Sequence, residues 1–286
     1  LPGGAVTSSI ARALGGGDLP RAEKLIWHAL AVTLGGVIIF LLLYILFGDF
    51  LLSFLGGTGM VLDQARNYCL VLFSGGMFIW LVSIVGAIFR GMGDMKFPAK
   101  LMILGALIQI PLSGVLVLGL FGLPLLGIVG AAVSAVISGL LVSSIMLFRL
   151  AKGSQKLKIR WSACQFSSKL FHDILNVAVP ASLSPIFTVT TILSLTAIVG
   201  RFGEAALAGY GIGSRVEFLM IPLVFGLGAA MTSMVGTNVG AGNIERAEKI
   251  GWIGSSLAAL LSGSVGLILA IFPLAWVPLF TSDLQT

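Results

Sequence analysis

GGGDLPRAEKLIW at residues 15–27 returns as GAGNIERAEKIGW at residues 240–252. Seven of these 13 positions are identical, namely the pairs Gly15/Gly240, Gly17/Gly242, Arg21/Arg246, Ala22/Ala247, Glu23/Glu248, Lys24/Lys249 and Trp27/Trp252. The second copy begins 225 positions after the first, and a weaker match continues without a gap to Phe47/Phe272. An internal repeat of this length indicates that one large structural unit occurs twice in the chain.

Long apolar blocks surround both copies of this motif. Hydrophobic residues make up 57% of the sequence and charged residues 10%, whereas a soluble domain has about 25% charged residues. Blocks of about 20 apolar residues can cross the hydrocarbon layer of a bilayer as helices. The sequence therefore predicts an all-α polytopic membrane protein. The predicted apolar segments are 1–14, which we interpret as the end of a helix that began upstream, and 25–47, 67–89, 101–121, 125–148, 174–199, 206–236 and 250–272.

The basic residues lie mainly between the apolar blocks. The formal net charge is +6, but the lysines and arginines do not form the basic, aromatic-interleaved face expected of a nucleic-acid-binding protein. All of them except Arg66, Arg201 and Arg215 lie in alternate connections. Because positively charged loops stay in the cytoplasm, we expect these connections to be cytoplasmic. They are 12–24, 90–100, 149–169 and 240–249.

Both copies of the repeat lie on this predicted cytoplasmic side, each after a helix that runs inward. The two units are therefore parallel repeats around a central cavity, related by an axis along the membrane normal, with about six helices in each. The chain would then cover the second to the ninth of about twelve helices and be incomplete at both ends. We predict an N-terminal lobe at 1–150, a cytoplasmic linker at 151–173 and a truncated C-terminal lobe at 174–286. Two lobes in one chain make a monomer sufficient for function at full length.

Four motifs resemble the multidrug and toxic compound extrusion (MATE) family. The repeated loop, Gly-X-Gly-Asp/Asn-X-X-Arg-Ala, resembles the loops after the second and eighth helices of that family. RGMGD at 90–94, followed by Pro98, resembles the loop after its fourth helix. GEAALAGYGI at 203–212, followed by RVE at 215–217, resembles the entry to its eighth helix, and Pro180 falls where its seventh helix carries a proline. These matches occur in the family's order along the whole chain.

The resemblance implies two six-helix bundles that form a V around a central cavity. It implies a secondary antiporter, not an enzyme, which exports organic and often cationic compounds in exchange for protons or sodium ions by alternating access. Such a protein lies in the cell membrane, either a plasma membrane or a bacterial inner membrane, and needs no cofactor or bound metal besides its coupling ion. The alternative is a flippase for lipid-linked saccharides of a related superfamily, which should have a more strongly basic central cavity.

Glu217 and Arg215 are ionisable residues inside a predicted span. An ionised group at the bilayer centre costs about 2.5–3.5 kcal/mol on insertion scales, so it normally faces protein or water and serves a function. A spacing of two residues places them about 200° apart on a helix, so each needs its own partner. The resemblance favours Glu217, because the family has an acidic residue there that is linked to substrate or proton handling. We predict that this carboxylate holds either a proton or a cationic substrate; the alternative is that either residue ties its helix to a neighbour.

Polar residues in other spans are weaker candidates for the substrate or ion site, namely Gln109, Asn176 and Thr188. Hydroxyl groups inside spans more often bond back to their own helix or bridge two helices than bind ligands. Sodium-coupled members of the family often have an acidic residue inside the seventh helix, whereas segment 174–199 has none. The sequence therefore leaves the coupling ion open.

A second set of residues is predicted to act mechanically. Prolines inside spans kink helices and can serve as hinges in alternating access. Glycines after a helix allow a tight turn, and Arg21 or Arg246 could bond the last carbonyls of that helix. This set comprises Pro180, Pro185 and Pro222 in spans, and Gly15, Gly17, Arg21, Arg90, Gly91, Gly93, Gly240, Gly242 and Arg246 in loops.

Overall fold

Nine α-helices lie within the part of the chain that the structure, a computed structural model, describes. It describes residues 3–153 and 157–272, without the side chains of Glu204, Ala205, Val216, Glu217 and Leu219. The helices are α1 (Gly3–Gly15), α2 (Leu19–Phe54), α3 (Gly59–Ser74), α4 (Gly76–Gly91), α5 (Lys96–Leu118), α6 (Ile128–Lys152), α7 (Ser168–Val199), α8 (Glu204–Gly240) and α9 (Ile244–Ile271). The all-α fold predicted from the sequence is confirmed.

Every predicted apolar segment corresponds to helical structure, and most helices extend several residues beyond it. Six helices are long and apolar enough to cross a membrane, or up to seven spans if the bent pair of α3 and α4 is counted as one. Helix α2 starts six residues before its apolar segment because Asp18 caps it, with a carboxylate oxygen that accepts from the Arg21 N–H at 3.0 Å. The polar cap of α2 thus starts the helix well before the apolar segment that the sequence had marked.

The predicted single span at 67–89 is wrong in one respect. It contains two helices, α3 and α4, which bend by 46° at Gly75. A Cβ added to Gly75 would overlap the side chain of Val136, so α6 packs into a notch that only glycine leaves open at this point. The bend thus coincides with a close contact to a helix more than fifty residues away.

The repeated loops have the same backbone conformation. Gly17 and Gly242 adopt left-handed φ angles of 74° and 78°. Each donates its N–H to the carbonyl three residues earlier, at 3.1 Å in both copies. The next residue, Asp18 or Asn243, donates to the carbonyl five residues earlier, at 2.9 and 2.8 Å. These paired bonds form a Schellman motif that ends one helix and starts the next. The sequence repeat is therefore also a repeat of local structure.

The two repeats meet where α1 crosses α8. A Cβ on Gly15 would overlap the carbonyl oxygen of Thr237, and a Cβ on Gly240 would overlap the carbonyl oxygen of Arg12. Thr237 stands 225 positions after Arg12, as Gly240 does after Gly15, so the contact is the same seen from either helix. Such reciprocity is the property of a two-fold interface, here between repeats of one chain. The prediction of a pseudo-symmetric pair is thus supported at this crossing.

The connection between the repeats packs on α2. The His28 ring is fully buried, and its Nε2 accepts from the Ser167 N–H at 2.9 Å. Trp27 lies 5.0 Å from the Trp161 ring, centroid to centroid, and its indole N–H donates to the Arg160 carbonyl at 3.0 Å. Most of this connection is therefore held against the first repeat by side chains from the start of α2.

Arg21 completes this contact with an ion pair. Its guanidinium lies 2.5 Å from the Asp173 carboxylate rather than on the last carbonyls of α1, the role that the sequence predicted for it. We expect the pair to add about 0.2–1 kcal/mol to the free energy of unfolding, because both side chains remain partly exposed. A double-mutant cycle of Arg21→Ala and Asp173→Ala in the full-length protein measures this coupling. Arg246→Ala is the matched control from the second repeat, and a coupling above about 3 kcal/mol would contradict a surface pair.

Candidate substrate site

A cavity of about 570 Å³ lies along α7 and the start of α8. Its wall includes Pro180, Thr188 and Tyr210. This volume falls within the range of about 300–1,000 Å³ that is usual for small-molecule sites. The structure therefore brings two predicted site residues, Pro180 and Thr188, to one apolar surface with the phenol of Tyr210, which sequence reasoning had not selected.

The hydroxyl groups of α7 bond to their own helix. Thr188 Oγ1 donates to the Ser184 carbonyl at 3.0 Å, and Thr191 Oγ1 donates to the Phe187 carbonyl at 2.9 Å. Their oxygen lone pairs stay available to a ligand, but their hydrogens do not. Asn176 is exposed about one turn before Pro180, the first wall residue of the cavity, and does not line it.

Glu217 lies on α8, but its side chain lies outside the described residues. Position 217 follows Tyr210 by seven residues, which is close to two helical turns. A second cavity, of about 510 Å³, opens between α8 and α9 and has Gly213, Met220 and Val224 in its wall. Residue 217 is four residues after Gly213 and three before Met220, so its backbone runs along the second cavity, about two turns after Tyr210 of the first, whereas Arg215 is exposed on α8 and lines neither.

A third cavity, of about 480 Å³, lies among α4, α5 and α6 in the first repeat. Arg90 and Gln109 both line it, and Phe225 of α8 contributes to its wall. Arg90 was predicted to belong to a turn that supports packing of the lobes. Its carbonyl does so, since it accepts from the Ser233 Oγ of α8 at 2.7 Å. Its guanidinium, however, points back into this cavity, as long side chains in a helix point towards the N-terminus.

The predicted hinge prolines all lie inside helices. Pro180 and Pro185 interrupt α7, and Pro222 interrupts α8. Gly91 and Gly93 have different roles in the turn after α4. A Cβ on Gly91 would lie 3.0 Å from the Thr7 carbonyl oxygen, so Gly91 permits close packing on α1, and Gly93 adopts a left-handed φ of 86°. Arg246 lines an open surface depression at the start of α9.

Parallel helical repeats that meet at a two-fold contact are an architecture that occurs among membrane proteins built from internal repeats. The family comparison agrees with this class: the family model described as MatE matches residues 3–115 and 180–286. The chain belongs to the MatE family and is a multi-pass membrane protein. The resemblance noted in the sequence is confirmed.

Individual relatives are similar to nearly the whole of this chain. A probable multidrug resistance protein NorM from Thermotoga maritima is 30% identical over 283 residues, which cover 98% of this chain and 60% of the relative. An FAD transporter from Shewanella oneidensis is 26% identical over 99% of this chain and 63% of its own. A multidrug resistance MATE family transporter solved in an outward-facing conformation superposes with a TM-score of 0.89 at 26% identity, over 98% of this chain and 62% of that one. The chain thus spans about three fifths of the length of these relatives.

Proposed function

We propose that the full-length protein is a secondary antiporter that exports organic, cationic compounds in exchange for protons or sodium ions. The observation that carries the proposal is the α1–α8 crossing, where Gly15 and Gly240 bring equivalent backbones of the two repeats together. Repeats joined at such an axis can rock against each other and expose a shared midplane site to either side in turn. The names of the relatives support export of organic compounds as the activity.

The cavity of α7 and α8 supplies a surface for such substrates. Its wall is mostly apolar, with aromatic rings from Phe187 and Tyr210 that suit the face of an organic cation. The carboxylate of Glu217 is proposed to hold the proton or the cation, because an ionisable side chain within a span serves a function by default. Competition between a proton and a cationic substrate for one carboxylate couples the two flows in opposite directions.

Ethidium export by the full-length protein tests this proposal, in cells that lack their main efflux pumps. We expect export that a protonophore or a sodium ionophore abolishes, and the effective ionophore identifies the coupling ion. Glu217→Gln is expected to abolish ion-driven export, because the amide cannot exchange a proton at neutral pH. Glu245→Gln makes the same chemical change at the start of α9, on the predicted cytoplasmic side, and should leave export unchanged.

Two results would count against the proposal. Export by Glu217→Gln at the rate of the unmodified protein would remove the carboxylate from the mechanism. Absence of ethidium export by a well-expressed, folded protein would favour the flippase, and translocation of a lipid-linked saccharide would then be the assay to perform.

A further inference from the structure

We propose that the cavity of α4, α5 and α6 binds the anionic headgroup of an amphiphile, with the Arg90 guanidinium as its charged partner and the Gln109 amide as its neutral one. The ligand class is an organic compound with a carboxylate or phosphate on an apolar body. The proposal goes beyond cation export, since it assigns a second site and a ligand of opposite charge.

The formal charge that the described wall residues bring to this cavity is positive. Of the described residues that line it, Arg90 is the one that carries a formal charge, and the others are apolar or neutral polar. The ion pairs of Arg21, Arg66 and Arg160 with carboxylates leave Arg90 out, and no carboxylate among the described side chains lies in the wall of this cavity. A half-buried cation without a counter-ion among the described side chains, set in an apolar wall, is unfavourable unless a ligand or water supplies one.

A glycine leaves space for the Arg90 guanidinium beside α4. A Cβ on Gly86 would lie 3.2 Å from Arg90 Nη1, so the glycine one turn earlier leaves the space that the guanidinium occupies. A Cβ on Gly3 would lie 4.0 Å from both Arg90 Nη2 and Ser83 Oγ, so the start of α1 packs over the part of α4 that carries both groups. The charge therefore lies along α4 towards the membrane interior, although its residue belongs to the last turn of the helix.

The donor set fits an oxyanion. The planar guanidinium offers five N–H donors in a fork that matches the two oxygens of a carboxylate or phosphate. The Gln109 amide, which α5 contributes to the wall of the same cavity, adds two donors. The Ser138 hydroxyl already donates to the Gly105 carbonyl at 2.9 Å, so it can offer only its lone pairs and stabilises the α5–α6 contact instead.

The remaining wall fits an apolar body. Val82, Met102, Val142 and Phe225 contribute aliphatic and aromatic surface to a volume of about 480 Å³. Such a volume accommodates a small organic molecule. Met102 is 55% exposed and Phe225 is 67% exposed, so within the described part of the chain the cavity opens at its side. An amphiphile can enter through this opening either from the bilayer or from a substrate route.

Binding of a matched pair of probes to the purified full-length protein tests the proposal. The probes are 2-naphthoate, an apolar anion, and 2-naphthylmethylammonium, its cationic counterpart, titrated calorimetrically into protein held in phosphatidylcholine nanodiscs. We expect Arg90→Gln to weaken naphthoate binding by at least about tenfold and to leave the cation unaffected, because a charge-assisted bidentate pair is lost. Arg90→Lys should retain part of the affinity, since it keeps the charge but loses the fork.

Arg149→Gln is the matched control. Arg149 lies on α6 on the same predicted side of the membrane, with its guanidinium 5.1 Å from the centre of the Phe97 ring and outside the cavity wall. Its removal changes the net charge as Arg90→Gln does, so equal losses from the two variants would mean only a general field effect and would overturn the proposal. A naphthoate affinity that Arg90→Gln does not change, or no naphthoate binding at all, would overturn it as well.

A second experiment, which varies the lipid of the nanodiscs, distinguishes a membrane lipid from a soluble anion as the ligand. Nanodiscs that contain phosphatidylglycerol should lower the apparent affinity for naphthoate if a membrane lipid occupies the site, and should not change it if the site takes a soluble compound. Both results support an anion site when they depend on Arg90. The assay requires no transport, so its outcome is independent of the ethidium experiment.

Discussion

Gly240→Ala is expected to unfold the contact between the two repeats. The added Cβ would overlap the carbonyl oxygen of Arg12, a backbone atom that cannot rotate away. Overpacking in a well-packed region costs about 1–3 kcal/mol, and more is expected when backbone must move. Helices α1 and α8 would have to separate along their crossing. Thermal unfolding of the purified full-length protein, followed by size-exclusion chromatography, measures the loss, and ethidium export should fall with it.

The repeat supplies both a partner variant and controls for this prediction. Gly15→Ala should cause a similar loss, and the double variant should lose less than the sum, because either substitution alone separates the helices. Gly4→Ala on α1 and Gly228→Ala on α8 add a Cβ that meets nothing within 4 Å. These two controls should be neutral or stabilising, since alanine is favoured over glycine in helices by about 1 kcal/mol. If Gly240→Ala behaves like Gly228→Ala, the crossing is not as close as the structure has it.

His28→Ala is the second substitution with a large expected effect. The ring is fully buried between Phe166 and Phe171, at centroid distances of 5.4 and 4.5 Å. Its Nδ1–H donates to the Lys24 carbonyl at 2.7 Å while Nε2 accepts from the Ser167 N–H. The alanine variant leaves a cavity and an unsatisfied N–H, which together cost about 2–4 kcal/mol.

The loss should be confined first to the connection between the repeats. Lys158, Arg160 and Lys169 are already exposed, but trypsin needs a mobile backbone around them. Because release from α2 would make this segment mobile, limited proteolysis in detergent should cleave the variant there much faster than the unmodified protein. His172→Ala is the control, because this exposed histidine bonds only to the Ser168 carbonyl of its own helix, at 3.2 Å. Equal cleavage rates for His28→Ala and the unmodified protein would show that the ring does not hold the connection.

The sequence predicted the features that depend on local composition. Apolar blocks located the helices, and the glycines of the repeated loops predicted turns that the structure shows at Gly17 and Gly242. It did not predict the features that depend on distant partners. The close packing at Gly75, where α3 and α4 bend, involves Val136, and the bonding of Arg21 requires Asp173, which lies 152 positions away. In both cases the sequence around one residue does not indicate which distant residue it contacts.

The candidate site divides in the same way. Pro180 and Thr188 were chosen by residue type and do line a cavity, whereas Tyr210 was missed because an aromatic residue in a span is usually packing. Arg90 was assigned to a turn, which describes its backbone but not its guanidinium. The available signal was the Gly86 four residues earlier, which on a helix stands beneath a side chain that points back along the axis. The role of Glu217 remains a prediction from the sequence.

The docking of residues 157–167 on α2 decides where a reporter of lobe movement can be placed. A spin label or fluorophore attached at Trp161 would travel with the first repeat, because that residue packs on Trp27. Its distance to α2 would stay constant however far the second repeat swung. A pair of labels that reports the distance between the repeats needs one label beyond Ser167, in α7 or later, and the other on α4 or α6. A cross-link between residues 157–167 and α2 would likewise leave the two repeats free to move relative to each other.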